Sequence, residues 1–191
     1  MDIEKDTWSI IDAYFRDTKD YLVKHHIDSY NDFINRKIPL IFKNSNKLTT
    51  YRTDYNDSNL IYKIDLYFGG KKSEGKNVYI SKPTIVDHET GIKRQLYPNE
   101  ARLKDLTYGA DVFYDIDIDY SLYKTVDGEL KPIYENVPAP EGEYLKNIYL
   151  GKIPIMLRSC LCVLNNTEPD TMYQMGESKY ETGGYFIIDG K

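Results

Sequence analysis

Cysteine, long apolar runs and an apolar leader are scarce or missing in this sequence. Its 191 residues include two Cys, too few for the disulfide framework that small secreted domains use. The acidic start, Met1 to Asp6, contains no apolar leader region, so we expect no signal peptide. No stretch of about 18 apolar residues is present, so we expect no transmembrane helix. The two Cys and the missing signal peptide together predict a reducing, intracellular compartment.

Basic residues, 25 in number, are outnumbered by the 30 acidic residues. The net charge is −5, and six of the 25 basic residues are Arg. Duplex DNA repels a negative protein unless its basic groups gather on one face, so the composition argues against a free-standing nucleic-acid binder. Tyr is abundant, with 19 copies, and Asn, Ile, Lys and Tyr all have AT-rich codons. This bias indicates an AT-rich genome rather than a function.

Helical periodicity dominates the start of the chain. Apolar residues at helical spacing predict an amphipathic helix over residues 6–22. The pattern resumes at Ile27 and predicts a second helix, with Asp28 or Ser29 as its N-cap and Pro39 at or after its end.

The apolar period changes from 3.6 to 2 after a polar stretch at residues 43–58, which is predicted to be a loop. Alternation predicts strands over residues 60–68 and 110–120. Asp127-Gly128 lies between two further strand-like runs, which is a strong hairpin signal. The predicted fold class is α+β, with N-terminal helices followed by a mostly antiparallel sheet.

The last stretch, Gly184 to Gly190, is predicted to be an apolar strand that enters an Asp-Gly turn. Such a turn is the first half of a hairpin, and the given sequence stops one residue later. A buried strand without a partner leaves backbone donors and acceptors unpaired. We therefore expect the missing strand to come from a second polypeptide or from a continuation of this one.

Asp115, Asp117 and Asp119 alternate along one predicted strand. Alternate side chains of a strand share a face about 6.6 Å apart, and such carboxylates could hold magnesium. We favour a simpler interpretation, in which Ile116 and Ile118 face the core and the three Asp face water.

Cys160 and Cys162, together with His25, His26 and His88, are the candidate zinc ligands. Structural zinc sites use Cys pairs separated by two to four residues, with a second ligand pair at a defined distance. The C-x-C spacing does not match this pattern, so we interpret the two Cys as buried, reduced thiols. No Ser or Cys is placed to form a catalytic triad with His25 and His26.

Two basic sets are the candidate phosphate contacts. The first is a loop that contains Lys71, Lys72 and Lys76. The second consists of Lys93, Arg94, Arg102 and Lys104. Contacts of this kind position nucleic acid without reading its sequence. Acidic residues are interleaved nearby, so ordinary solvated charge is the competing interpretation.

Five blocks of the sequence resemble one protein family in their order and spacing. They are residues 8–16, residues 27–33, YISKP at 79–83 with LYPNEARLKDLTY at 96–108, LGKIPIMLRS at 150–159, and GGYFIIDG at 183–190. Together they resemble the N-terminal protrusion region of the second-largest, beta-type subunit of multisubunit DNA-directed RNA polymerase. The eukaryotic, archaeal and large-DNA-virus versions fit better than the bacterial subunit, which shares mainly the last two blocks.

The resemblance implies an N-terminal helical segment at residues 1–42 and the first part of the protrusion domain, incomplete at its C-terminal end, at residues 43–191. It also implies that the chain forms one wall of the DNA cleft in a complex that transcribes DNA into RNA. The catalytic aspartates of the family belong to the largest subunit. We therefore expect no catalytic, cofactor-binding or metal-binding residue in this chain, with magnesium and zinc elsewhere in the nucleotidyltransferase complex.

The nucleic-acid-facing candidates are then Lys93, Arg94, Arg102 and Lys104. The implied partners are the remaining part of the same subunit, the largest and smaller polymerase subunits, the DNA template and initiation factors, and no membrane. The implied location is intracellular. For a large DNA virus it is the cytoplasmic virus factory, with packaging in the virion, and otherwise it is the nucleus or cytoplasm.

Two other functions stay open at this point. The first is a free-standing protrusion-like module that binds transcription factors and is not an enzyme. The second is a small metal-dependent nuclease or transferase built on Asp115, Asp117 and Asp119.

Overall fold

Short helices and antiparallel sheets make up the protein. The structure is a computed structural model, and it describes residues 3–18, 20–44, 47–71, 77–87, 91–126, 128–139 and 145–191. The helices are α1 (Ile3–Asp17), α2 (Lys24–Asp32), α3 (Ile38–Asn44), α4 (Pro98–Leu103) and α5 (Pro169–Gln174). The strands are β1 (Lys47–Thr53), β2 (Leu60–Phe68), β3 (Val78–Ile80), β4 (Thr84–Val86), β5 (Lys93–Gln95), β6 (Gly109–Tyr114), β7 (Ile116–Val126), β8 (Glu129–Pro138) and β9 (Ile148–Pro154). The predicted α+β class is confirmed.

Strand pairing produces three sheets. The largest has the order β1-β2-β7-β8, and its neighbouring strands are antiparallel. The second has the order β3-β6-β9, and β4 pairs antiparallel with β5. Val126 on β7 lies opposite Glu129 on β8, which leaves a two-residue turn between them. The predicted hairpin is therefore confirmed, although Asp127 itself lies outside the described residues.

The chain divides into two compact units, each assembled from separated stretches. The first unit consists of Met1–Phe33, Lys82–Ala110 and Ile153–Lys191, and the second of Ile34–Ser81 and Asp111–Lys152. The boundary predicted after residue 42 lies inside the second unit. The assignment of residues 43–191 to a protrusion domain stays a prediction.

The first predicted helix forms as α1, although it ends at Asp17, before Leu22. Its apolar side chains are not buried, since Trp8 is 66% and Phe15 is 52% exposed. In the part of the chain that the structure describes, no helix is both long and apolar enough to cross a membrane.

The second predicted helix also forms, but it begins earlier than expected. It starts at Lys24, and its N-cap, Val23, makes no side-chain capping bond. A preceding turn already provides an acceptor for the first backbone N–H group of the helix, because the Lys24 N–H donates to the Asp20 carbonyl at 2.9 Å. Asp28 and Ser29 consequently lie inside α2, and their predicted capping role is wrong.

Pro39 lies within a helix instead of ending one. A π-helical turn, Phe33–Lys37, precedes α3, and Pro39 occupies the first turn of α3. Proline is tolerated there, because the first N–H groups of a helix have no intrahelical acceptor. Pro39 thus follows the end of α2 at Asp32, as predicted, although helical backbone continues through Pro39 in α3.

Residues 43–58 are not simply a loop, because they contain β1. This strand pairs with β2 from Lys47 opposite Tyr67 to Thr53 opposite Ile61. It is an edge strand, largely exposed, and rich in Thr. Without a buried face it shows no apolar alternation, the signal on which the sequence-based assignment depended.

The strand predicted over residues 110–120 is in fact two strands in different sheets. Asp115 separates β6 from β7, and its backbone N–H donates to the Asn77 carbonyl at 3.0 Å. β6 pairs with β3, whereas β7 pairs with β2 and β8. The residue alternation continues through Asp115, so the sequence did not reveal the change of sheet.

The segment Gly184–Gly190 is not a strand of a sheet, contrary to the prediction. Its backbone instead makes hydrogen bonds to two neighbouring segments. The Leu157 N–H donates to the Tyr185 carbonyl at 2.9 Å, and the Gly184 N–H donates to the Leu157 carbonyl at 3.1 Å. The Tyr108 N–H donates to the Ile187 carbonyl at 3.0 Å, and the Gly190 N–H donates to the Leu106 carbonyl at 3.2 Å. These four bonds are divided between two segments and form no continuous ladder with either.

The predicted Asp189-Gly190 turn is present. Ile188 and Lys191 exchange backbone hydrogen bonds in both directions, at 2.7 and 3.0 Å. Both central residues have positive φ, +49° and +76°, as a tight type I′ hairpin turn requires.

The core of the first unit is built from the sequence blocks singled out above. Ala101, Tyr108, Ile155, Leu157 and Ile187 are each at most 1% exposed. Complete burial of such a side chain contributes about 1.5–3 kcal/mol. These blocks are therefore primarily packing segments.

Gly183→Ala is expected to destabilise the protein more than Gly91→Ala. Both glycines have positive φ, +71° and +68°, so each alanine suffers about 1–2 kcal/mol of left-handed backbone strain. At Gly183 the new Cβ would also lie 2.6 Å from the Leu157 carbonyl oxygen, whereas no described atom lies within 4 Å at Gly91. The clash adds about 1–3 kcal/mol. Urea unfolding of both variants measures the difference, and equal losses would contradict the close contact.

Candidate nucleic-acid interface

The basic set Lys93, Arg94, Arg102 and Lys104 lies on β5, on α4 and just after α4. Glu100 forms ion pairs with two residues of this set. Arg94 Nη1 donates to Glu100 Oε2 at 2.7 Å, and Lys104 Nζ lies 2.9 Å from Glu100 Oε1. These bonds, chiefly the one from Arg94, outweigh burial and lower the pKa of Glu100 to about 2. Glu100 is therefore ionised at neutral pH and offsets part of the positive charge.

Arg102 pairs with a buried carboxylate. Its Nη1 donates to both oxygens of Glu177, at 2.8 and 2.9 Å, and its Nη2 donates to the Tyr185 hydroxyl at 2.8 Å. Glu177 is 5% exposed, so the guanidinium replaces the water that this carboxylate loses on folding. Arg102 thus joins α4 to the segment that follows α5.

Lys93 lies on β5, all of whose residues are exposed. Of the four residues in the set, Lys93 is the one without an ion pair among the described residues. Arg94 and Lys104 keep 41% and 52% of their side-chain surface exposed. The structure therefore places Lys93, Arg94 and Lys104 at the surface, whereas Arg102 is 28% exposed and bonded to the buried Glu177 carboxylate.

The basic loop is only partly described, because Lys72 and Lys76 lie outside the described residues. The Lys71 ammonium pairs with Asp119, and its backbone N–H donates to Asp117 Oδ2 at 2.9 Å. Lys71 is therefore directed towards the acidic residues of β7.

The prediction that the Asp series faces water is wrong for Asp119, which is buried, whereas Asp115 and Asp117 are half-buried. The register of β2 and β7 places Asp65 directly opposite Asp119, and these residues are 1% and 5% exposed. Lys63 and Lys47 lie 3.2 and 3.3 Å from Asp65 Oδ2, and the Thr49 hydroxyl donates to Asp65 Oδ1 at 2.6 Å. Long side chains from neighbouring strands cover the carboxylates, which the pattern of a single strand cannot show.

Asp65 is ionised despite its burial. Burial alone would raise the pKa of its carboxyl, but the hydrogen bonds from Thr49, Lys63 and Lys47 hold that pKa below its usual value. A lowered folded-state pKa stabilises the protein above the unfolded-state pKa of about 4, and this stabilisation is lost as the pH falls further. The cluster is therefore a stabilising network at neutral pH.

Asp115 is separated from the other two candidates for magnesium. It lies between β6 and β7, where its Oδ1 accepts the Asn147 N–H at 2.8 Å and its Oδ2 accepts the Tyr79 hydroxyl at 3.0 Å. Among the described residues, no group of three His, Cys, Asp or Glu is arranged to hold a metal ion.

The two Cys lie in the first unit, and both are free. Cys162 is 5% exposed, and the Tyr108 hydroxyl donates to its sulfur at 3.7 Å. Burial raises the pKa of the Cys162 thiol, which therefore stays protonated. The prediction of a buried thiol is confirmed for Cys162, whereas Cys160 is half-buried.

His25 and His26 lie within α2 and are exposed, with their rings 4.0 Å apart. They therefore lie at the surface and inside a helix, and not in a connection between helices. His88 lies outside the described residues.

A second buried ion pair was missed by the sequence analysis. Arg158 Nη1 donates to Asp20 Oδ1 at 2.8 Å and to the Glu181 carbonyl at 3.0 Å, with 12% of the Arg158 side chain exposed. The two charged partners are 138 residues apart, so no local pattern relates them. The sequence feature that could have indicated this pair is Arg158 itself, a single charged residue directly after the apolar run that ends at Leu157.

The fold defines the chain as an α+β protein. Most of the charged side chains in its candidate site bond to other residues of the same chain. Comparison with known proteins identifies the family. A family described as RNA polymerase beta subunit matches residues 21–191. The chain belongs to this family and corresponds to the N-terminal part of the second-largest subunit of DNA-directed RNA polymerase.

Individual relatives agree with this assignment. The chain is 33% identical to RNA polymerase II subunit RPB2 of Eremothecium gossypii, over 97% of this chain and 15% of that protein. It is 35% identical to RNA polymerase subunit Rpo2N of Methanothermobacter thermautotrophicus, over 98% of this chain and 29% of that protein. The chain therefore spans less than a third of the length of these relatives.

Arg102→Ala is expected to lower the free energy of unfolding by about 3 kcal/mol, because it leaves the Glu177 carboxylate buried without a cation. Lys93→Ala, at an exposed position, should change it by less than about 0.5 kcal/mol. Urea unfolding at neutral pH measures both. Similar values for the two variants would mean that the Glu177 pair does not stabilise the fold.

Proposed function

We propose that this chain forms one wall of the DNA cleft in a DNA-directed RNA polymerase. The observation that carries the proposal is the family match over residues 21–191, together with relatives named as RNA polymerase subunits. The chain contributes shape and docking surface to the complex. Nucleotidyl transfer takes place elsewhere in that complex, where other parts of the polymerase hold magnesium and zinc.

The exposed apolar face of α1 supports a role for this chain within a larger complex. Trp8, Ile11 and Phe15 lie three and four residues apart, and therefore on one face of α1, and they expose 66%, 40% and 52% of their surface. A contiguous apolar surface of this kind typically marks an interaction site. Its partners are the rest of the same subunit, the largest subunit and the smaller subunits, and initiation factors dock on the completed complex.

Lys93, Arg94 and Lys104 are the proposed contacts to DNA phosphates, and Arg102 holds α4 in place beneath them. The three cations are exposed, and phosphate contacts need accessible cations without base-reading geometry. Replacing all three by Ala in the assembled polymerase should reduce the salt dependence of DNA binding. The slope of log K against log salt should fall by about 3, since each phosphate contact contributes about 0.9.

Lys124→Ala with Lys131→Ala, on the β7–β8 hairpin, is the control and should leave this slope unchanged. Thermal melting checks that the triple variant remains folded. An unchanged slope in a folded triple variant would refute a phosphate-contact role for these residues.

We expect this chain to be located wherever the assembled polymerase acts. The AT-rich codon bias supports a large-DNA-virus origin, and the complex would then act in the cytoplasmic virus factory and enter the virion. In a cellular source it would act in the nucleus or the cytoplasm.

Isolation of the chain from its source with a terminal affinity tag tests the assembly. We expect the largest polymerase subunit to co-purify, together with polypeptide that carries the remaining subunit sequence, and mass spectrometry identifies both. Purification with transcription factors and without polymerase subunits would instead favour the free-standing, non-enzymatic module. Arg102→Ala provides an internal control, since a destabilised chain should lose these partners together.

A further inference from the structure

Glu181 connects the two ion pairs of the first unit, Arg158 with Asp20 and Arg102 with Glu177. We propose that Glu181 couples the turn before α2 to α4, so that a change at one of these elements alters the other. The Glu181 backbone carbonyl accepts a hydrogen bond from Arg158 Nη1 at 3.0 Å, and its carboxylate accepts one from the Tyr185 hydroxyl at 3.0 Å. The consequence for DNA rests on the proposed function, whereas the coupling concerns this chain alone.

One branch of the network reaches the start of α2. Arg158 uses the same nitrogen, Nη1, for the Glu181 carbonyl and for Asp20 Oδ1, which lies 2.8 Å away. The Asp20 backbone carbonyl in turn accepts the N–H groups of Val23 and Lys24, each at 2.9 Å. A displacement of Arg158 therefore acts on Glu181 and on the first turn of α2 together.

The other branch reaches α4 through the Tyr185 hydroxyl. This hydroxyl donates its proton to Glu181 Oε2, and its oxygen accepts from Arg102 Nη2 at 2.8 Å. Arg102 lies on α4, where it also holds the buried Glu177. Because hydrogen bonds in a chain polarise one another, a shift of the Glu181 carboxylate changes the bond that Tyr185 offers to Arg102.

The segment around Glu181 has weak anchors elsewhere. We call residues 178–182 the strap. Glu181 is half-buried, whereas the other four residues of the strap are exposed. Lys179 pairs with Asp170, which is 82% exposed, and surface pairs of this kind contribute little. The Glu181 N–H donates to the Ser178 carbonyl, inside the strap itself. The bonds of Glu181 to the two branches therefore set the position of the strap.

The coupling joins two surfaces for which partners are proposed above. α1 ends just before Asp20, and its apolar face is the proposed contact to the rest of the complex. α4 carries Arg102 beneath the exposed cations that are the proposed DNA contacts. Coupling between two binding sites is reciprocal, so a partner bound at α1 and DNA bound at α4 would each alter the affinity for the other.

Hydrogen exchange read by mass spectrometry, on the complex that contains this chain and without DNA, tests the coupling. Asp20→Ala removes the carboxylate partner of Arg158 at one end of the network. The hydrogen-bonded amides of Ala101, Lys104 and Leu106, in and after α4, report at the other end. We expect these amides to exchange about twofold to tenfold faster, the range that corresponds to one weakened hydrogen bond.

Tyr185→Phe interrupts the network, because it removes the hydroxyl between Glu181 and Arg102 and keeps the ring. When Asp20→Ala is added to Tyr185→Phe, the exchange of the α4 amides should not change further. Since coupling is reciprocal, Tyr185→Phe alone should also accelerate exchange of the Val23 and Lys24 amides at the start of α2.

Two variants in and beside the strap are matched controls. Asp170→Ala removes the exposed partner of Lys179, and Tyr180→Phe removes the hydroxyl of a tyrosine that is 90% exposed. Neither substitution touches the bonds of Glu181 to Arg158 or Tyr185. Both should leave exchange at α4 and at the start of α2 unchanged.

Three results would overturn the proposal. The first is unchanged α4 exchange in Asp20→Ala. The second is the same acceleration with and without the Tyr185 hydroxyl, which would assign the effect to the backbone bond between Leu157 and Tyr185. The third is equal acceleration in β2 of the second unit, which indicates global unfolding. Coupling that is present while the triple variant of Lys93, Arg94 and Lys104 keeps its salt dependence would uphold this inference and refute the phosphate contacts.

Discussion

A carboxylate that leaves water must be met by a cation or by hydrogen-bond donors, and this constraint shapes both compact units. In the first unit Glu177 is met by Arg102, and Asp20 by Arg158. In the second, Asp65 and Asp119 lie opposite each other and are covered by lysines and a Thr hydroxyl. Removing one partner from such a pair costs more than the pair itself contributes, because the remaining charge stays buried.

The same constraint limits which basic residues can meet a partner. Arg102 and Arg158 are bonded to Glu177 and Asp20, with 28% and 12% of their side chains exposed, although Arg102 belongs to the basic set selected as phosphate contacts. Lys93, Arg94 and Lys104 remain exposed, with Glu100 between the last two. In the proposed cleft role, a chain of net charge −5 would contact DNA through this small basic surface and would depend on the rest of the polymerase for further electrostatic attraction.

Local signals predicted local structure well in this chain. Period-2 alternation gave β2 over residues 60–68, and Asp127-Gly128 gave the β7–β8 hairpin, because both depend on neighbouring residues. The prediction failed at β1, whose exposed face carries no apolar pattern, and at Asp115, where one alternating run enters two sheets. It failed again at Gly184–Gly190, since this apolar segment divides its backbone hydrogen bonds between two other segments and forms no continuous ladder with either.

The sequence by itself determined the α+β class, the leading helices, the hairpin and the family, because these are carried by period, turn chemistry and ordered motifs. It did not determine which charges are buried. Asp119 and Arg102 look like solvated residues in the sequence, yet each lies against a partner far along the chain. Only the register between β2 and β7, and the packing of α4 against the segment after α5, brings these groups together. Burial of a charge is a property of the tertiary contact and not of the residue.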